Sequence, residues 1–337
     1  MDSASETTPQ VREAAAPPET ALAVDLRNPL AAWEPQARAF LLASKAANTL
    51  RAYRADWNHF TAWCAAHEQA SLPAVPETVA YYLTALAGSH KPATLVRRLT
   101  AISKAHQAAG HPSPASTQHA CVSEILKGIK RTVGTAQPGK EPLFTVEIRK
   151  MIDALPSNLQ GARDRALLVI GFAGGFRRSE LAALDVEDVA ETGDGLVLAL
   201  RRSKTDQEGQ GAKVALPFGS HPETCPVRSF RAWIAASGIT AGPVFRGVNN
   251  RGQLAGKRLD SNSVARIVKK CARRAGLDPA PYAGHSLRAG FCTQAYLNGV
   301  PELSIMRQSR HQSLDTVRKY IRDKSLFRDN PASRLGL

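Results

Sequence analysis

The chain has 337 residues, with 44 Lys and Arg against 29 Asp and Glu, a formal charge of +15. At about 150 residues per domain this length predicts two domains, and no apolar stretch approaches the roughly 20 residues that span a bilayer. The N-terminus lacks the basic start and apolar run of a secretory leader, so none is expected. Five cysteines, at 64, 121, 225, 271 and 292, have neither metal-ligand nor redox spacing and read as reduced thiols of a cytosolic protein.

The charge is unevenly placed. Residues 1–27 carry −3, residues 28–140 carry +7 and residues 141–337 carry +11. Two basic domains point to a polyanion as partner, because basic surfaces steer and hold phosphate backbones. A merely basic enzyme is the competing reading, and charge alone does not decide between them.

In chain order, residues 1–27 are rich in Ala, Pro, Glu, Ser and Thr without an aromatic residue, the composition of a disordered acidic tail. From Asn28 to Val133 the pattern is helical. A helix is expected over 48–67 with Asn48 as cap, another opens at Pro76, and a third runs from Pro92 to about residue 109. Leu50, Tyr53, Trp57, Phe60 and Cys64 form one apolar stripe at spacings of three and four. Leu95, Leu99 and Ile102 form a second, and Ile125, Ile129 and Val133 a third. The opposite faces are basic: Arg51 and Arg54; Arg97, Arg98 and Lys104 (with Ala101); Lys127, Lys130 and Arg131. Such faces favour DNA contact over simple solvation.

Residues 134–142 have linker chemistry, with Gly, Pro and polar residues. A domain over 143–325 follows, mainly helical, with a β-hairpin over 196–201 and 214–217 around a polar turn at 203–211. Helices are expected at 145 onward, 161–173, 222–236, 261–275, 286–299, 301–309 and 313–322.

The chemistry-bearing residues lie in four places. Gly175-Phe-Arg-Arg-Ser-Glu-Leu181 sits at a turn between helices, and Lys204 sits in the hairpin turn within Arg201-Arg-Ser-Lys-Thr205. His285-Ser-Leu-Arg288 opens a helix with His and Arg on one face. His311 and Tyr320 stand nine apart in Arg310-His-Gln-Ser-Leu-Asp-Thr-Val-Arg-Lys-Tyr320. Two Arg, a Lys, two His and a Tyr without paired carboxylates suit phosphoryl transfer at a phosphodiester. Guanidiniums bind the charged oxygens of the transition state bidentately. A phenol serves as nucleophile once a neighbour accepts its proton, and an ammonium protonates a leaving alkoxide.

The order and spacing of these segments resemble the tyrosine recombinase (phage integrase) family. The resemblance implies that Arg177 and Arg288 clamp the scissile phosphate and that Lys204 (rather than Lys213) protonates the leaving 5′-oxygen. It further implies that His285 handles the nucleophile's proton, His311 hydrogen-bonds the phosphate and Tyr320 attacks it, with Glu180 orienting the site. Arg177 fits the Arg-x-Ser-Glu-Leu register better than Arg178. Thr61-Ala-Trp-Cys64 and Pro73-Ala-Val-Pro-Glu-Thr-Val-Ala-Tyr-Tyr-Leu83 are similar to the family's core-binding domain, a SAM-like helical bundle. That similarity nominates Thr49, Arg51, Thr94, Arg97 and Arg98 as DNA contacts, beside Arg54, Lys104, Lys127, Lys130, Arg131, Arg201 and Arg202.

The fold so implied is mainly α: a two-domain C-shaped clamp of a helical bundle (28–133) and a mixed α+β catalytic domain with a small antiparallel sheet. Implied too are a 3′-phosphotyrosyl intermediate, a Holliday junction, a homotetramer on two DNA sites and a cytoplasmic, nucleoid-associated location. Neither metal nor ATP is needed, since the covalent link retains the phosphodiester's energy. The tail 326–337 is expected to dock in trans, and the tail 1–27 is too short for an additional arm-binding domain. Two departures stand out. The Gly that commonly precedes the family's His is Arg310, which adds a phosphate contact or alters the turn, and Phe176 replaces a usual Leu. The alternatives are topoisomerase-like DNA relaxation of type IB and a catalytically silent DNA-binding regulator.

Overall fold

The computed structural model describes residues 36, 39–40, 45–135, 139–201, 211–321, 332 and 335. The expected tail 1–27, Arg202, Lys204 and most of 326–337 lie outside the described residues. Two units, Met1–Gln137 and Pro138–Leu337, have separate apolar cores.

Helices α1 (Ala47–Ala66), α2 (Pro76–Leu86), α3 (Pro92–Ala108) and α4 (Ala120–Val133) build the first unit. Pro76 and Pro92 occupy first helical positions, where the missing N–H would have had no intrahelical partner. Trp57, Phe60, Cys64, Tyr82, Leu83, Leu95, Leu99 and Ile102 meet in its core. Asn48 is not the cap of α1: Ala46 holds that position, and Asn48 instead accepts from Arg51 Nη1 at 2.9 Å. In α4 the buried row is Val122, Leu126 and Ile129, while Val133 is half exposed. The expected stripe through Ile125 and Val133 is therefore displaced by about one residue, because α4 packs chiefly on α2.

Helix α3 corrects a second expectation. It is covered on more than one side, so Ala101 and Arg98 are buried rather than outward-facing. Arg98 is 7% exposed. Its Nη1 donates to Tyr82 Oη at 2.5 Å and stands 2.7 Å from His59 Nδ1, and Nη2 stands 3.1 Å from His90 Nε2. An arginine spent on these internal acceptors is no groove contact. Arg97 is exposed but clamps the buried carboxylate of Asp56 with two bonds of 2.7 and 2.9 Å.

The second unit runs α5 (Thr145–Asp153), α6 (Leu159–Ala173), α7 (Arg178–Ala183), β1 (Val189–Thr192), β2 (Gly195–Leu200), β3 (Ala212–Pro217), α8 (Pro226–Ser237), β4 (Arg246–Val248), β5 (Leu254–Arg258), α9 (Ser261–Arg274), α10 (Gly284–Leu297), α11 (Glu302–Ser309) and α12 (Leu314–Ile321). Strands β1, β2 and β3 form an antiparallel sheet. The register Leu196↔Leu216 and Leu198↔Val214 puts four buried side chains on one face, as a period of two requires. Strand β1 and the β4–β5 ribbon escape a pattern search because they are short and largely exposed.

Within the segment 134–142, Glu141 N–H donates to Pro281 O at 3.1 Å. At the start of the domain that follows, Leu143 is fully buried and its N–H donates to Ser286 O at 3.1 Å. Gly290 of α10 permits this approach, since a Cβ there would lie 1.8 Å from Leu143 O. Gly290→Ala should therefore lower the unfolding free energy of this unit by about 1–3 kcal/mol in urea titrations. Gly128→Ala, mid-helix in α4 with open space around it, should instead stabilise by about 0.5–1 kcal/mol. Equal effects would remove the steric account.

Candidate active site

The site begins where α6 ends. Gly174 caps that helix, and Gly175 turns the chain with φ +52°, a left-handed angle that glycine adopts without steric penalty. Arg177 follows in extended conformation as the residue before α7. Glu180, one turn on, reaches back: Oε2 accepts the Arg177 backbone N–H at 2.9 Å and Oε1 accepts Arg177 Nη1 at 2.6 Å. Arg178 is exposed.

Helix α10 supplies His285 in its first turn and Arg288 three residues on. Arg288 is 1% exposed. Nη1 donates to Gly175 O at 2.7 Å and Nε donates to His311 Nε2 at 3.2 Å, whereas Nη2 has no hydrogen-bond partner among the described residues. Burial, and then the charge of Arg177, pushes its pKa down to about 10, so it remains a cation at neutral pH. A buried, charged donor without an acceptor is costly unless a ligand supplies one.

His311 follows Arg310, the C-cap of α11 in left-handed conformation, a geometry costing an L side chain about 1–2 kcal/mol. His311 is 8% exposed. Its Nδ1 lies 2.7 Å from Ser309 Oγ, whose own hydroxyl donates to Ile305 O at 2.6 Å. Ser309 therefore accepts from Nδ1–H, which leaves Nε2 as the acceptor for Arg288 and defines the tautomer. Burial, then the charges of Arg288 and Arg177, drive the His311 pKa down to about 3. The ring is neutral at ordinary pH.

Tyr320 lies in the last turn of α12, an amphipathic helix anchored by buried Val317 and Ile321. Thr293 Oγ1 donates to the Tyr320 carbonyl at 3.0 Å, tying that helix to α10. The phenol oxygen is 2.6 Å from His285 Nε2, and the ring centroid is 5.4 Å from that of His311. Burial raises the phenol's pKa, partly offset by the nearby charge of Arg288.

Arg177, Glu180, His285, Arg288, His311 and Tyr320 thus converge from three segments of the chain. Lys204 lies outside the described residues. The strands flanking it pair through Leu200↔Ala212, and Gln308 Nε2 of α11 donates to Ala215 O of β3 at 2.9 Å. Arg202 likewise lies outside the described residues. Arg201 pairs with Asp188 at 2.7 Å, Lys127 pairs with Glu124 at 3.6 Å, and Lys104 donates to Gln107 at 2.9 Å. Arg54, Lys130 and Arg131 are exposed, and Thr49 and Thr94 are half-buried. Arg310, expected from sequence to add a phosphate contact or alter the turn, takes a left-handed turn and points its side chain inward; missed from sequence was Ser309, which sets the His311 tautomer. Arg310 was visible only as a departure at a place where glycine is expected.

The site thus brings a tyrosine hydroxyl onto a histidine beside buried guanidiniums, the residue types expected from the sequence. Comparison with known proteins agrees. Residues 143–325 match the phage integrase family. The integrase/recombinase xerD homolog of Selenomonas ruminantium is 42% identical over 296 residues, covering 87% of this chain and 86% of that protein. Tyrosine recombinase XerC of Myxococcus xanthus is 27% identical over 251 residues, covering 71% and 74%. Among solved structures, XerH recombinase in a post-cleavage complex with palindromic difH superposes with TM-score 0.54 at 19% identity, covering 77% of this chain and 71% of that one. A lambda integrase dimer on a COC′ core site does so with TM-score 0.55 at 17% identity, covering 88% and 77%. The chain belongs to the phage integrase family, and it is a tyrosine-type site-specific recombinase.

The His311 shift carries a pH consequence. Its folded pKa lies below the unfolded value, so the unfolded chain binds the proton first. Stability is full above about pH 6.5 and falls as pH drops toward 3, by on the order of 4 kcal/mol from this group. His311→Gln, which keeps an acceptor for Arg288, should flatten that window in urea titrations across pH. A slope unchanged from wild type would sink the assignment.

Proposed function

We propose that Tyr320 is the nucleophile of strand exchange between two DNA sites, with Arg177 and Arg288 as the phosphate clamp. The observation that carries this reading is the 2.6 Å contact of Tyr320 Oη with His285 Nε2, beside the unpartnered Nη2 of Arg288. Phosphate oxygens would supply the acceptor that this buried nitrogen lacks. Tyr320 Oη attacks phosphorus and passes its proton to His285. The bond to the 5′-oxygen breaks as Lys204 protonates that oxygen, and a 3′-phosphotyrosyl link remains. The 5′-hydroxyl of a partner strand then attacks this link, restoring the phosphodiester and freeing Tyr320. No other energy source is required.

Glu180 orients Arg177 through both carboxylate oxygens. His311 holds Arg288 through Nε2 while neutral. Donating to the phosphate requires a proton on that nitrogen, which an anion among the guanidiniums favours because it offsets the charges depressing the pKa. The hydroxyl–histidine contact lies within one chain and so favours cleavage in cis.

Arg51, Arg54, Lys104, Lys127, Lys130 and Arg131 are exposed on the first unit and supply a sequence-tolerant grip that weakens steeply with salt. Arg97 joins them only where its pair with Asp56 opens. Four protomers on two DNA sites would exchange strands through a Holliday junction, in the cytoplasm on the nucleoid. The segment 326–337 would dock in trans. A cavity of about 470 Å³ in the second unit, lined by Ile148, Phe172, Phe218, Phe291 and Val300, supports an apolar docking place.

On a nicked suicide substrate, wild type should form a covalent complex, and Tyr320→Phe should bind equally but form none. Arg177→Ala and Arg288→Ala should each slow cleavage about 100- to 1000-fold. Mixing Tyr320→Phe with Arg177→Ala should not restore cleavage, whereas restoration would place the tyrosine in trans. Supercoil relaxation without junctions would favour the topoisomerase reading. No cleavage by wild type of its own site would favour a silent regulator.

A further inference from the structure

The turn before His311 is built around a side chain that the reaction above does not use. Arg310 takes φ 59° and ψ 45°, where glycine is the easier choice. Its guanidinium turns inward and is 10% exposed. Nη1 donates to the carbonyl oxygens of Gly174 at 3.1 Å and Gln308 at 2.6 Å. Nη2 donates to Gly175 O at 3.2 Å and Glu180 Oε2 at 2.9 Å. The group also covers the Phe176 ring at 4.9 Å. All four Nη hydrogens are committed to protein acceptors, and only Nε–H has no partner among the described residues.

Two of those acceptors are shared with the clamp. Glu180 holds Arg177 Nη1 on its other oxygen, and Gly175 O also accepts Arg288 Nη1. Arg177 Nη2 closes the circuit by donating to the Arg310 carbonyl at 3.3 Å. Without the Arg310 guanidinium, Glu180 Oε2 would keep only a backbone N–H, and the Gly174–Gly175 carbonyls would be free to tilt. Either change re-aims a clamp guanidinium. Glu180 would also cancel one of only two clamp charges.

Resting on the strand-cleavage reading above, we propose that Arg310 is a positioning residue. Through Glu180 and the Gly175 carbonyl it sets the aim of both Arg177 and Arg288, and its charge offsets Glu180.

The test is single-turnover cleavage of the nicked suicide substrate by wild type, Arg310→Gly, Arg310→Gln and Arg310→Lys, beside Tyr320→Phe. The Gly and Gln variants should bind DNA within about twofold of wild type and cleave about 10- to 100-fold more slowly, the scale of a small misplacement. A pH profile separates positioning from loose packing. Burial raises the Glu180 carboxyl, while Arg310 and then the bonds and charge of Arg177 hold it below its ordinary value, with Arg288 the further charge facing it. Removing the Arg310 charge should move the acid limb of cleavage to higher pH in the Gly and Gln variants. Arg310→Lys should leave that limb in place and restore part of the rate. If the Gly variant melts below the assay temperature, the Gln–Lys comparison decides alone. Wild-type rates in Gly and Gln would overturn the proposal, as would slow cleavage with an unshifted limb and no gain from Lys. A wild type that forms no covalent complex, or a Tyr320→Phe that does, would remove the parent reading and this role with it.

Discussion

Three guanidiniums, those of Arg177, Arg288 and Arg310, are gathered around one carboxylate, that of Glu180, in an interior almost closed to water. Two positive charges are left unbalanced there. Like charges brought together out of water repel, and burial deprives each of its hydration. The arrangement persists because carbonyl oxygens at the Gly174–Gly175 turn and at Gln308 supply the missing acceptors. The site so constructed is net positive, the sign that the proposed phosphodiester substrate would complement.

The surrounding elements follow from this constraint. The left-handed turn at Gly175 exposes its carbonyl to both Arg288 and Arg310. Helix α7 starts at the residue after Arg177, so that Glu180 can close on the Arg177 backbone as well as its side chain. His311 is held neutral by burial and then by its charged neighbours, and neutrality is what allows its Nε2 to accept from Arg288. Helix α12 then seats Tyr320 with its hydroxyl on His285 rather than in solvent. Chemistry that concentrates negative charge at phosphorus gains most from donors already oriented and desolvated.

The two units divide the +15 charge differently. Among the described residues of the first unit most basic side chains lie exposed on helices, as the proposed grip on a phosphate backbone requires. Burial removes Arg98 from that set, and the carboxylate of Asp56 restrains Arg97. In the second unit the decisive arginines are interior, and their value lies in fixed direction. Solvation thus separates the charge proposed for grip from the charge proposed for catalysis.

Much was legible in the chain itself. Apolar spacing and prolines marked Ala47–Ala66, Pro76–Leu86 and Pro92–Ala108 because helix periodicity and proline geometry are local properties. The side-chain set of Arg177, Lys204, His285, Arg288, His311 and Tyr320 suited phosphoryl transfer at a phosphodiester, and its order and spacing resembled the phage integrase family. Burial and pairing were not legible, since they depend on what packs against a helix from elsewhere. Arg98 and Arg97 are sequence neighbours with the same charge, yet one is interior and the other exposed. Arg310 could be noticed as an arginine at a glycine's place, but whether it faced a phosphate or a carboxylate was decided by Glu180, 130 residues earlier in the chain. Sequence determined which groups are available; tertiary packing decided their water and neighbours, and hence their charge state and direction.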